Sequence, residues 1–520
     1  MRRTQSEKEP IQVIEHTAPD AVTANQTELA TNVGLGQFIE AQKKGIALTP
    51  EVNRKIVIKL DAYVLSIMFF TSILQFLDKT ALNYANLFGI RTDLGLSGSE
   101  YSWLASLFYL GYLIAQFPAS YLFSKLPTGK LLGVCIILWG ITILVFTWSS
   151  NFTGAAVCRF LLGVLEAPIT PGITLAVGHW WTRDEAALRY NIIYSALGWA
   201  GIIGSLMSTG ISTGGDNTLV KKWQLVFLVL GSITTVWGFV VFLLLPDSPV
   251  DAKFFTHEER LFATARVASN QVGIKSGEFK LYQVRSSLYD FKTWCIVISI
   301  FAAGIPNGVI SNFSTELIRN LGFSTIKTTL MDCIGNAFQV FGLISGGYIA
   351  SHIKNTRILV ASVGNIACLI AAALLAYLPE DRTWMRLVAF WFTNLQSVSF
   401  ALGLNMITVN MSGYTKKRLT SALTFISYCA GNVVGPQFVL QSQAPRFSTA
   451  TKAMMIGFVG KTVCHAALGV FMLLVNKQRD DKLNETSGSV IDAEAERHEA
   501  ETRGMMDQTE FENKAFRYVL

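Results

Sequence analysis

Tyr121-Leu122-Phe123-Ser124-Lys125-Leu126, followed by Lys130-Leu131-Leu132, returns 227 residues later as Tyr348-Ile349-Ala350-Ser351-His352-Ile353, followed by Arg357-Ile358-Leu359. In both copies an aromatic side chain closes one apolar run, a short basic turn follows, and a second apolar run begins. A second echo, Trp181-Thr182-Arg183 and Tyr414-Thr415-Lys416, is spaced by 233 residues. Two echoes at nearly one offset describe a chain built from two related halves in parallel arrangement.

Outward from these turns the sequence is apolar to a degree that water does not tolerate. Of 520 residues, 51% are hydrophobic and 15% charged, against roughly 25% charged in soluble domains. The charges are also segregated. Residues 60–245 and 294–475 together hold only 21 Lys/Arg and 12 Asp/Glu, so both blocks belong in lipid. A window of about 20 residues gives twelve spans: 62–84, 101–124, 131–148, 155–179, 190–212, 224–245, 294–317, 329–351, 358–378, 386–410, 419–441 and 453–475. The alternating short strands of a barrel are absent. The expected fold is an all-α membrane protein, twelve transmembrane helices in two pseudo-symmetric six-helix halves. Its expected divisions are a tail 1–59, a half 60–245, a central loop 246–293, a half 294–475 and a tail 476–520.

Orientation rests on the first span, where Arg54, Lys55 and Lys59 precede the apolar run and only Arg91 follows closely. Both tails and the central loop are therefore expected in the cytosol, with the first run acting as an uncleaved signal anchor. In the central loop, Thr256 and Glu259 have capping-box spacing ahead of Arg260-Leu261-Phe262, which predicts a short amphipathic helix.

The seven cysteines are scattered singly through apolar segments and suggest neither zinc nor disulfides. No basic stripe marks a nucleic-acid partner. Gly460-Lys461-Thr462 imitates the end of a phosphate loop, but Met455 stands where its first glycine belongs. An enzyme, a resident cofactor or metal, and direct drive by ATP are all unexpected. The two-halved plan favours a transporter working as a monomer in the lipid bilayer.

Five stretches, in order, resemble the fungal allantoate permease-like transporters of the major facilitator superfamily, in its anion:cation symporter branch. They are Phe76-Leu77-Asp78-Lys79-Thr80-Ala81-Leu82-Asn83-Tyr84-Ala85; Arg159-Phe160-Leu161-Leu162-Gly163-Val164-Leu165-Glu166-Ala167-Pro168; Leu245-Pro246-Asp247-Ser248-Pro249 with Glu259-Arg260; Gly413-Tyr414-Thr415-Lys416-Lys417; and Gly431-Asn432-Val433-Val434-Gly435-Pro436 before Ala444-Pro445. The resemblance covers about 50–475 and implies proton-linked uptake of a small organic acid or amide, such as allantoate, nicotinate, pantothenate or biotin. Other branches often carry an acid and an arginine where this chain has Asp78-Lys79. A lysine is a point charge without the planar fork of arginine.

Ionisable groups inside a bilayer are costly and mark function by default. Adjacent residues on a helix project about 100° apart, so one of Asp78 and Lys79 can face a cavity while the other faces a neighbour; the alternative is that they neutralise each other or hold the fourth helix in place. Arg159 and Glu166 lie two turns apart on one stripe, with Gly163 between them leaving a gap. The expected roles are proton coupling for Asp78 and Glu166, and substrate attraction for Lys79 and Arg159, unless Arg159 is a snorkelling anchor. Gln396 and Asn405 are further substrate candidates. Lys461 and His465 read as a peripheral helix contact. Pro168, Pro171 and Pro306 should kink the fourth and seventh spans, as gates or as purely structural kinks. Asn151 heads a possible glycosylation site in a short outer loop. The expected function is symport of an organic anion with protons, with a proton-antiporting drug or metabolite exporter and a non-transporting nutrient sensor as rivals. The expected site of action is the plasma membrane, with the vacuolar membrane as the alternative.

Overall fold

The computed structural model describes residues 50–214, 219–249, 252–268, 280–353, 355–486, 509–512 and 516–520. Most of the 1–59 tail and much of the 476–520 tail lie outside the described residues.

Twelve long helices cross the described part: α1 (Ser66–Leu87), α2 (Glu100–Lys125), α3 (Thr128–Phe146), α4 (Phe152–Glu166, resumed as Ile169–Trp180), α5 (Arg183–Thr213), α6 (Lys222–Leu244), α7 (Phe291–Arg319), α8 (Thr325–His352), α9 (Arg357–Tyr377), α10 (Thr383–Thr393, resumed as Gln396–Asn410), α11 (Tyr414–Val434) and α12 (Ser448–Thr486). Local chemistry sets their starts. The Asn151 side chain accepts from Gly154 N at 2.9 Å and caps α4. Thr182 and Glu185 form a capping box at α5. Two helices overrun their expected spans by more than ten residues. A π-helical turn, Asp61–Leu65, joins α1 without a break to a helix Pro50–Leu60, and α12 continues to Thr486.

Pairing of the helices shows the internal symmetry. Within the first half α1 packs on α5, α2 on α4 and α3 on α6; within the second α7 packs on α11, α8 on α10 and α9 on α12. The halves meet through α1 with α7, α5 with α8, and α2 with α11, the last two pairs being equivalent under exchange of halves. Close approaches replace bulk between helices, as expected where lipid gives no hydrophobic drive to association. A Cβ on Gly304 of α7 would stand 2.8 Å from the Gly431 Cα of α11.

Ten of the helices are long and apolar enough to cross a membrane on composition alone. The other two are α2 and α11, and their place explains it: each faces the other half, where Tyr112 stacks on Phe425 at 5.3 Å and Tyr109 meets Tyr428 at 6.0 Å. Their polar positions are spent inside the protein. Outward positions on the other helices are apolar, for instance Leu243, Phe341 and Ile456, each at least 70% exposed, as a lipid-facing surface demands.

The central loop contributes one helix to each half. His257–Ala268 starts at the expected capping box, with Thr256 N donating to Glu259 Oε2 at 3.0 Å and Glu259 N to Thr256 Oγ1 at 3.3 Å. It is fastened to the first half by Arg266 with Glu185 at 2.8 Å and by Glu259 with Lys59. Leu281–Leu288 is fastened to the second, where Gln283 Oε1 accepts from Thr415 N at 2.9 Å.

The second half also captures the end of the chain. Glu510 is fully buried with Lys292 at 2.9 Å and with Lys416, while Asp290 faces the same two lysines at 3.0 and 2.8 Å. Asn410 exchanges hydrogen bonds with Val519, its Oδ1 accepting at 2.7 Å and its Nδ2 donating at 2.8 Å. Burial pushes the Glu510 carboxyl up, but the Lys292 and Lys416 ammoniums outweigh it and hold it below its ordinary value of 4.5. A carboxyl lowered on folding contributes its stability above the ordinary value and loses it as pH falls through the folded one. Glu510→Gln should therefore destabilise the protein at pH 7, by up to about 3–5 kcal/mol for a broken buried pair. Thermal unfolding in detergent at pH 7 and in acid checks this: the difference from wild type should shrink in acid.

Candidate functional site

Between the halves, at mid-length of the helices, lies a small cavity of about 40 Å³. Its wall includes Lys79 of α1, Tyr109 of α2, Tyr194 of α5, Asn307 of α7, Gln396 of α10 and Tyr428 of α11. Both halves thus supply polar groups to one space, as a site at the repeat interface requires.

The adjacent pair on α1 divides its faces as the helical geometry expects. Lys79 points at the cavity and forms an ion pair with Glu166 Oε1 of α4 at 3.0 Å. Its ammonium also lies 5.2 Å from the Tyr112 ring centre and 5.4 Å from that of Phe76, so aromatic faces support the cation. Asp78 turns away and accepts from Trp139 Nε1 of α3 at 3.0 Å. The two neighbours therefore do not neutralise each other.

Arg159 is buried, 1% exposed, and its Nε donates to the Leu104 carbonyl at 3.3 Å with the guanidinium over Phe108 at 5.3 Å. The alternative of a snorkelling anchor is thereby corrected: the side chain is enclosed by α2. The gap expected at Gly163 is corrected too. A Cβ there would stand 2.0 Å from the Phe108 carbonyl oxygen, so the missing side chain admits the α2 backbone and no ligand. The result is a neutral set of four charged residues in the first half, Asp78, Lys79, Arg159 and Glu166, of which Lys79 reaches the cavity.

The helix break falls immediately after Glu166: α4 stops there, Pro168 leads into Ile169, and Pro171 lies in the resumed segment. The seventh span differs, since α7 runs as one helix from Phe291 to Arg319 with Pro306 inside it. Its counterpart break is in α10, where Gln396 opens the second segment 227 residues after Ile169 opens that of α4, the offset of the sequence echo. Gln396 lines the cavity; Asn405, on the same segment, lies outside its wall. Asn151 is exposed beyond α4, with its side-chain oxygen serving as the helix cap.

Lys461 and His465 contact neighbouring helices and stay outside the cavity wall. Both are buried, Lys461 donating to the Gln396 carbonyl at 3.3 Å and His465 Nε2 lying 3.1 Å from Ser299 Oγ. Trp139, as the partner of Asp78, carries no signal in one sequence; only packing brings α3 to α1. Asp332 is different. It lies in the span 329–351, and the rule that singles out Glu166, an acid inside an apolar run, applies equally to it.

A family model described as "Major Facilitator Superfamily" matches residues 68–436. An uncharacterized transporter of Schizosaccharomyces pombe is 33% identical, covering 91% of each chain. The allantoate permease of Saccharomyces cerevisiae is 31% identical, covering 92% of this chain and 89% of its own. Among solved structures, a D-xylose-proton symporter superposes with a TM-score of 0.61 at 11% identity, covering 77% of this chain and 95% of its own. A bacterial homologue of the human lysosomal transporter Spinster, inward-facing and occupied, gives 0.57 at 14% identity, covering 79% and 96%. The last two are likenesses of fold. With its two six-helix halves around one central cavity, the chain is a multi-pass membrane transporter belonging to the major facilitator superfamily, similar to the fungal allantoate permease.

Proposed function

We propose that the protein carries a small organic anion together with protons, exposing the central cavity alternately to the two sides of the membrane. The observation that carries this reading is the ion pair of Lys79 with Glu166 at 3.0 Å in the cavity wall. A substrate carboxylate and Glu166 compete for one ammonium. Protonation of Glu166 frees Lys79 for the substrate, and departure of the substrate returns Lys79 to the carboxylate.

Charge balance gives the same coupling. Two acids and two bases in the first half sum to zero, and an anion added alone leaves a net negative charge in a poorly solvated place. Uncompensated buried charge costs several kcal/mol, so anion and proton favour each other's binding. Coupling then needs only that both favour the same reorientation. Asp78, held by Trp139, is the second proton candidate, and Arg159 keeps the cluster neutral. Gln396 and Asn307 supply amide donors from the opposite half. A wall with a cation in it suits an anion better than the apolar cavity of a drug exporter. The allantoate permease relative makes carboxylates and ureides the first substrates to try, in cells bearing the chain at the plasma membrane.

The test is uptake of labelled carboxylates by cells expressing the chain. Uptake should rise as external pH falls from about 7 to 5, a range that spans the titration of a perturbed carboxyl, and should collapse with an uncoupler. Equal uptake with the gradient abolished would make the protein a uniporter or an exchanger.

A further inference from the structure

Hydrogen bonds that join the two halves gather at the ends of α1 and α7 farthest from the central loop. Asn83 Nδ2 donates to Ser314 Oγ at 2.7 Å, Thr315 N to Asn83 Oδ1 at 3.1 Å, and Asn86 Nδ2 to Glu316 Oε2 at 2.7 Å. Arg91 completes this rim with Glu316 at 2.9 Å. Against this rim sits Asp332 of α8, 6% exposed. Its Oδ2 accepts from Ser205 Oγ of α5 at 2.9 Å, from Tyr84 OH of α1 at 3.2 Å and from Asn336 Nδ2 at 3.2 Å.

The surroundings of this carboxyl distinguish it from Glu166. From α1 it meets the Tyr84 phenol, from α5 the Ser205 hydroxyl, from α7 the Ser314 hydroxyl, and from its own helix Cys333 and Asn336. Among the hydrogen bonds and ion pairs described for it, none comes from a lysine, arginine or histidine. The acid is thus buried across the seam of the two halves by neutral donors alone.

We propose that Asp332 is a second proton-binding site, whose protonation from the far side of the membrane favours closure of the halves on that side. The inference rests on the alternation of access argued above, but not on the roles of Lys79 and Glu166. Closing α8 against α1 and α5 removes the carboxyl from water, and an ionised carboxylate resists that step more than a neutral acid does. Three neutral hydrogen bonds offset only part of the lost hydration. Parting the halves returns the group to water, where the charged form is at ease. A proton therefore acts as a ligand of the closed arrangement, and its differential affinity sets how far it shifts the population.

The experiment uses the full chain in lipid nanodiscs, with Cys333 and Cys464 replaced by alanine and spin labels at Ser99→Cys and Lys327→Cys, two exposed positions at the far ends of the opposite halves. Pulsed electron-spin distances are recorded between pH 5 and pH 8. The long-distance, open population should grow at least about fivefold from pH 5 to pH 8, the lower end of ordinary coupling. Asp332→Asn should stay closed at both pH values. A parent without pH response, or an Asp332→Asn variant that keeps the full response, overturns the proposal. Ser205→Ala gives an independent reading should Asp332→Asn fold poorly. With one donor fewer on the charged form, the midpoint should move to higher pH by up to about one unit, and an unmoved midpoint also overturns the idea. Absence of transport for every carboxylate tried would defeat the substrate reading and leave this outcome intact.

Discussion

Glu166→Gln should exchange substrate across the membrane and fail to concentrate it. The amide imitates the protonated acid, so Lys79 is released to the substrate at every pH and the cavity can reorient loaded in either direction. What the variant loses is the pH-dependent return of Lys79 to its acid, seen in the structure as the 3.0 Å ion pair. Without it, substrate movement no longer requires proton movement. Counterflow in preloaded vesicles should stay near the parent rate, while accumulation against a gradient should fall to the equilibrium level at pH 5 and at pH 7 alike. Normal accumulation by Glu166→Gln would remove Glu166 from the coupling role and direct attention to Asp78.

Lys79→Gln carries the second large effect, and it acts twice. Losing a charge-assisted contact to the substrate typically costs about 1.5–3 kcal/mol, which is at least about a tenfold rise in apparent KM. The same change leaves Glu166 buried without its cation, and breaking a buried pair from one side costs about 3–5 kcal/mol unless the acid takes a proton. Surface abundance should therefore fall as well. The sequence leaves Asp78 open as the partner, so that Asp78→Asn would rescue the lysine variant. The structure makes Glu166 that partner, so the informative double variant is Lys79→Gln with Glu166→Gln. Abundance should recover in it and affinity for the anion should not. If the double variant transports with the parent's KM, the pair is structural and Lys79 does not bind substrate. Lys79→Arg keeps the charge and should retain substantial activity, with altered preference among acids of different shape.

What the sequence determined by itself is set by solvent and by short range. Charge depletion over 60–245 and 294–475 demands lipid, because every unsatisfied backbone group in hydrocarbon forces helices. The two echoes fix the repeat. The capping box at Thr256 and the break after Glu166 depend on neighbours a few residues away, and both were legible for that reason. So was the splitting of Asp78 and Lys79 onto different faces, which follows from 100° per residue. Which groups meet was decided only by the tertiary structure. Lys79 and Glu166 lie on different helices, and so do Asp78 and Trp139; a periodic pattern says which face is polar, not which helix comes to cover it. Gly163 shows the limit most plainly. A missing side chain reads equally as an empty gap or as a place for close packing, and only the α2 backbone lying against it chooses the second. The seam that holds Asp332 between α1, α5 and α8 has the same origin: its partners are 127 and 248 residues away in sequence, brought together by the docking of two halves.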